Sequence, residues 1–368
     1  MALRTLSGKH ADPQKIIKGR GAAINPEGRF ELVEREAFDD GWAHDPEDDE
    51  RALKTVVTEE NAASIISRNQ SPDVPFTQSV NPYQGCEHGC IYCYARPTHA
   101  YRNLSPGVDF ETRIFAKVNA AELLRKELSK PGYCCEVISL GANTDPYQPA
   151  ERRLNITRGV LQVCSEFNQP VGIVTKNALI ERDLDILVPM AQRRLVNVFI
   201  SVNNLDHDIA RKLEPRCVAP ARRLEAIRAL SRAGVPVGVL VAPVIPFLND
   251  DQCEAVLEAA HAAGATQAGY VMLRLPFEVK ALFRDWLERH YPLKAKHVMS
   301  RVQQMRGGRD NDAAFGARMR GRGELAELLR RRFDIACKRL GLNNGQRGSD
   351  LATSLFRPPR LDGQLGLF

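Results

Sequence analysis

The chain has 368 residues and a formal net charge of +6, a length that one barrel with extensions can take up as a single core and its appendages. Its longest apolar stretch, residues 235–245, is too short to span a bilayer and is broken by prolines, and Met1-Ala2-Leu3-Arg4 is not followed by an apolar run. A cytoplasmic protein with no membrane segment and no secretory signal is therefore expected. Nine cysteines, an odd number with no even framework of spacings, fit a reducing compartment better than a disulfide scaffold.

In chain order, residues 1–75 read as an N-terminal extension, partly disordered. Gly19-Arg20-Gly21 and Asn25-Pro26-Glu27-Gly28 are turn chemistry, and Asp45-Pro46-Glu47-Asp48-Asp49-Glu50 is an acidic run with little to bury. The basic piece Lys18-Gly19-Arg20-Gly21 is compatible with a phosphate contact, but a solvated tail is the leading expectation. From 76 to 290, short apolar runs alternate with helical periodicity, with strands expected at 76–80, 136–140, 171–175, 196–202, 237–242 and 268–273. Repeated βα units of this kind predict an α/β fold built on a parallel sheet, a partial (β/α)6 barrel. Residues 291–350 read as a basic helical segment, and 351–368 as a flexible tail. Between 294 and 347 there are 14 Lys and Arg against 5 Asp and Glu, so the positive charge is concentrated there, as suits a phosphate-bearing partner such as a nucleic acid.

Reactive side chains are densest in Cys86-Glu87-His88-Gly89-Cys90-Ile91-Tyr92-Cys93, a C-x-x-x-C-x-x-C run. Three thiolates on one loop can hold a metal. A closed structural zinc site takes four ligands, whereas a [4Fe–4S] cluster held by three leaves one iron open. Zinc with a distant fourth ligand, and unligated thiols, are the alternatives at this point. His88 is given no ligand role.

This spacing, with Tyr92 before the third cysteine, resembles the signature of the radical S-adenosylmethionine (radical SAM) superfamily. The run Cys90-Ile91-Tyr92-Cys93-Tyr94 is most similar to its spore photoproduct lyase and DNA-repair-photolyase-like branch, over roughly residues 75–290. The resemblance implies metal ligands Cys86, Cys90 and Cys93, a [4Fe–4S] cluster, and SAM bound at the open iron. It further implies reductive cleavage to a 5′-deoxyadenosyl radical, and an electron donor as partner. A nucleic-acid base is then the expected substrate, in a DNA-repair lyase-like reaction. The alternatives are RNA, peptide or metabolite modification, or a non-catalytic metal protein that docks on DNA or its clamp.

In parallel βα folds, function gathers at the C-terminal ends of strands. The second expected strand ends near Thr144 and Asp145, whose short polar groups suit SAM's ammonium. The third ends at Lys176, a cation for the SAM carboxylate. The fourth ends at Ser201 and Asn203, suited to ribose or carboxylate, with Glu214 soon after. Thr144, Asp145, Lys176 and Ser201 match the spore photoproduct lyase pattern in order, and the resemblance gives Tyr94 a part in hydrogen transfer. One departure stands out: where that family carries a hydrogen-donating cysteine, this chain has Ala142. Cys217 is a candidate thiol near the mouth, while Cys164, Cys253 and Cys337 fall on helix patterns as core residues.

The loop 307–323, rich in glycine and arginine, is suited to phosphates, with Phe315 available to stack on a base. The closing Gln364-Leu365-Gly366-Leu367-Phe368 resembles the peptide by which bacterial DNA-processing proteins bind the DNA sliding clamp.

Overall fold

The computed structural model describes residues 16–30, 53–344 and 351–358; the acidic run and the clamp-like peptide lie outside the described residues. Its strands, in chain order, are β1 (Val56–Glu60), β2 (Ile66–Arg68), β3 (Gln78–Val80), β4 (Tyr83–Gln84), β5 (Arg113–Lys117), β6 (Ile138–Leu140), β7 (Val171–Thr175), β8 (Val196–Ser201), β9 (Val237–Val244) and β10 (Gln267–Met272). The main sheet runs β10-β9-β8-β7-β6-β3-β2. From β3 to β10 every neighbouring pair is parallel, and β2 closes the β3 edge antiparallel. The six expected strands are thus present and lie side by side in chain order, an open half-barrel. The first two are shorter than expected.

The central strands turn a continuous apolar face to the core. Val196, Val198 and Ile200 of β8 and Val237, Val239 and Val241 of β9 are all buried, as a parallel sheet covered by crossover helices requires. The helix Ile156–Glu166 supplies Val160, Leu161 and Cys164 to that cover, while Cys253 comes from Cys253–Ala262 and Cys337 from Glu324–Leu340. The edge of β10 is blunted by Asn343, whose side chain accepts from Ala268 N (2.9 Å) and donates to Ala268 O (3.1 Å). Near the mouth the β9–β10 register shifts between Tyr270 and Met272, which turns the outgoing chain toward Arg274.

Two expectations are corrected at the chain ends. Residues 56–68 are not a loose extension, because they contribute β1 and β2. A second sheet, ordered β1-β5-β4, was invisible to periodicity because its strands are short and β1 is largely exposed. Residues 351–358, expected to begin a flexible tail, pack on the barrel: Ala352 N donates to Arg194 O (2.9 Å), Arg357 N donates to Phe167 O (2.9 Å), and the Phe356 ring lies 5.2 Å from Tyr133. The helical character of the C-terminal segment holds, with helices Pro292–Gln304 and Glu324–Leu340.

Candidate active site

β4 delivers the chain directly into the cysteine loop. Cys86 and Cys90 are buried and Cys93 is half-buried. The loop is tied down by its backbone: Cys86 N donates to Phe110 O (2.9 Å), Ile91 N to Leu213 O (3.1 Å) and Cys93 N to Cys90 O (3.2 Å). Beneath it, Arg96 acts as a hub. Its guanidinium donates to Cys90 O (2.9 Å), Gly89 O (3.2 Å), Pro106 O (3.1 Å) and Gly107 O (2.9 Å), and it pairs with Glu111, both side chains fully buried.

The two oxygens of Glu111 also accept from the amides of Gly21 and Ala22, each at 2.9 Å, while Arg20 donates to Glu111 O at 2.9 Å. The basic piece around Arg20 is therefore not a solvated tail. The Arg20 guanidinium is held by the carbonyls of Glu111 and Leu53 and by Thr55 Oγ1, and Gly21 comes so close that a Cβ there would lie 1.9 Å from Gly89 O.

Burial pushes the Cys93 thiol up to about 12, with Cys90 and Cys86 adding to the shift, so a cationic centre is needed to hold these sulfurs together as thiolates. Among the described residues no three His, Cys, Asp or Glu side chains converge on the position of a single ion.

The strand ends carry the other expected residues. Thr144 is buried and donates its hydroxyl to Tyr83 O (2.8 Å), leaving lone pairs free to accept. Asp145 is saturated: Oδ1 accepts from Thr175 Oγ1 (2.7 Å) and Tyr147 N (2.9 Å), and Oδ2 accepts from Lys176 N (2.8 Å) and faces His88 Nδ1 at 3.4 Å. Burial would raise the Asp145 carboxyl, but His88, Thr175 and Lys176 outweigh it and hold it down to about 2. Asp145 ties the β6 and β7 ends to the cysteine loop. Burial would lower the Lys176 ammonium, yet the surrounding Cys90, Glu214, Cys217 and Asp145 raise it, so it stays a cation.

At the end of β8, Ser201 is buried and its carbonyl accepts from Arg223 (3.1 Å). Asn203 donates to Tyr92 Oη at 3.4 Å, while its Oδ1 and the Nδ2 of neighbouring Asn204 are buried without a partner. Unpaired buried amides are costly, and here they fit an absent polar ligand. Glu214 lies between Tyr92, whose hydroxyl it accepts, and Arg223, paired at 2.5 Å with both side chains buried. Glu214 thereby holds the Tyr92 hydroxyl in place. The Sγ of Cys217 is 3.9 Å from that of Cys90, which brings it to the cysteine loop as expected.

Tyr94 is 46% exposed, and its hydroxyl donates to the carbonyl of Ala142, the position where the sequence lacks a cysteine. The guanidinium of Arg274, half-buried, lies 5.3 Å from the Tyr94 ring centroid and 3.6 Å from Met319 Sδ. Sequence reading missed Arg274, Arg96, Glu111 and Arg223. Glu111 meets the amides of Gly21 and Ala22, 90 and 89 residues away in sequence, so no local pattern marks it. The basic segment is also less available than its charge suggests. Arg318 pairs with Asp73, Arg332 with Glu254 (2.7 Å) and Arg339 with Glu258.

Residues 80–260 match the Radical SAM superfamily, and the chain belongs to it. It is therefore a radical SAM enzyme, of a class that works with a [4Fe–4S] cluster and S-adenosylmethionine. An uncharacterized protein of Mycobacterium tuberculosis (strain ATCC 25618 / H37Rv) is 39% identical over 234 residues, covering 63% of this chain and 68% of the relative. An uncharacterized protein of Methanocaldococcus jannaschii is 24% identical over 216 residues, covering 58% of this chain and 76% of that one. Among solved structures, spore photoproduct lyase complexed with dinucleoside spore photoproduct aligns with a TM-score of 0.58 at 15% identity, over 78% of this chain and 80% of that one, which shows a common fold. No helix among the described residues is long and apolar enough to cross a membrane.

Proposed function

We propose that this radical SAM enzyme acts on a nucleic-acid base, in a DNA-repair lyase-like reaction in the cytoplasm. The observation that carries the substrate class is Arg274. It is a half-buried guanidinium at the strand-end mouth that stacks on Tyr94, while the nearby carboxylate of Asp73 is already taken by Arg318. Such a cation beside an aromatic ring suits a phosphate with its base. A solved structure of the same fold holds a dinucleoside lesion, which supports the reading, as do the glycine-rich loop 307–323 and the clamp-like Gln364–Phe368.

Cys86, Cys90 and Cys93 would hold the cluster, which together with SAM supplies the reductive C–S cleavage that generates the hydrogen-abstracting radical. Lys176, its amide held by Asp145, would pair with the SAM carboxylate, and Thr144, anchored on Tyr83 O, would accept from its ammonium. Ser201, Asn203 and Asn204 would meet the ribose, and Tyr92 would be held by Glu214 against the same ligand. Tyr94, exposed at the mouth with its hydroxyl parked on Ala142 O, is placed to exchange a hydrogen atom with substrate. Because position 142 is alanine, the hydrogen source differs from a cysteine at that position.

The test is anaerobic reconstitution with iron and sulfide, followed by reductant and SAM. Release of 5′-deoxyadenosine is expected, stimulated by damaged DNA over intact DNA or RNA. Stimulation by RNA, peptide or metabolite alone would reassign the substrate, and a fully loaded enzyme that cleaves no SAM would refute the activity.

A further inference from the structure

Four planar side chains from three separate chain segments form one stack on the surface beside the mouth. The Tyr101 and Phe30 rings lie 5.2 Å apart at 28°, and the Arg29 guanidinium lies 5.4 Å from the Phe30 centroid and 3.8 Å from that of Phe277. The three rings are exposed, Tyr101 by 70%, Phe277 by 58% and Phe30 by 48%. Large aromatic rings are ordinarily buried, and a contiguous exposed set marks an interaction surface.

The stack is held in place at both ends. Arg29 is fixed by Glu278 at 2.9 Å and by Pro97 O at 3.3 Å. Phe277 has φ +48°, a left-handed backbone that a bulky residue adopts only against strain. Tyr101 lies in the 3-10 helix Arg96–Arg102, which begins at the hub under the cysteine loop, and Phe277 follows Arg274 by three residues on the loop leaving β10. The stack therefore continues outward from the mouth.

We propose that this surface is a stacking platform for unpaired nucleobases, so that the partner is single-stranded nucleic acid or a locally opened strand. This deepens the nucleic-acid reading above and rests on it. Every base presents a π face, and alternating aromatic and guanidinium planes accept such faces without regard to sequence. Because Glu278 already neutralises Arg29, the platform works by stacking and not by phosphate contact. Its contribution is therefore independent of salt, whereas contacts from the arginines elsewhere release counterions.

The experiment measures anisotropy of a fluorescein-labelled 12-mer oligothymidylate and of a 12-base-pair duplex with the cluster-loaded full chain, across a salt series. Single strand should bind more tightly than duplex. Tyr101→Ala and Phe277→Ala should each weaken single-strand binding about tenfold with the slope of log affinity against log salt unchanged. Tyr101→Trp should restore it. Tyr101 supports no core packing, so its variant keeps the result interpretable if Phe277→Ala misfolds. Oligonucleotide binding that is indifferent to Tyr101 and Phe277 overturns the platform and leaves the nucleic-acid reading standing. Absence of any oligonucleotide binding at low salt overturns both.

Discussion

Arg96 and Glu111 form an ion pair in which both side chains are fully buried, and between them they bind the backbone on two sides of the cysteine loop. Glu111 reaches Gly21 and Ala22 of the N-terminal strap, while Arg96 reaches Gly89, Cys90 and the turn at 106–107. A single pair thus couples the loop that would carry the cluster to a segment more than 60 residues upstream. Removing one partner leaves the other charge buried and uncompensated. Glu111→Gln should therefore cost about 3–5 kcal/mol. Denaturant midpoints should fall, and iron retained per chain after reconstitution should fall with them. A variant as stable and as iron-loaded as the parent would refute the coupling.

The close approach of Gly21 to Gly89 O leaves no room for a methyl group. Gly21→Ala should displace the strap and lower iron loading even where the barrel stays folded. Gly172→Ala in β7 is the control, since a Cβ there meets Val137 at 4.0 Å, an ordinary contact. Iron and sulfide content, read beside circular dichroism, separates the two.

His99 is buried against Phe110 and its Nε2 lies 3.0 Å from Arg113 O. Burial lowers it from 6.5 to about 4, with the Arg113 carbonyl and Asp109 opposing the shift. Between those values the unfolded chain binds a proton that the folded chain refuses. Stability is therefore whole above about pH 6.5 and falls toward pH 4, by up to about 3 kcal/mol. His99→Gln should flatten that stretch of the stability profile. An unchanged slope between pH 6.5 and 4 in urea titrations would assign the acid sensitivity elsewhere.

Lys176 sits at the end of β7 with its amide held by Asp145. Under the proposed SAM contact, Lys176→Met should weaken SAM binding by about tenfold or more while leaving iron content intact, because a charge-assisted hydrogen bond is lost but no ligand to iron. Equilibrium dialysis with labelled SAM gives the affinity. Unaltered affinity would remove Lys176 from the site.

The sequence by itself determined the chemistry and the frame. The spacing of Cys86, Cys90 and Cys93 is local, and alternating two- and three-to-four-residue periodicities are local, so the ligand loop and six βα units could both be read along the chain. Tertiary structure alone decided which polar groups are free to act. Asp145 looks like a ligand in sequence, but Thr175 and Lys176 at the end of β7 occupy its oxygens, whereas Asn203 and Asn204 keep buried atoms unpaired. It also decided the fate of the charges. Arg20, in a piece expected as a solvated tail, packs against the cysteine loop, and Arg332 and Arg339, in the segment expected to meet nucleic acid, form helix-to-helix ion pairs. Pairing depends on which residues meet across the fold, and charge counted along a chain carries no record of that.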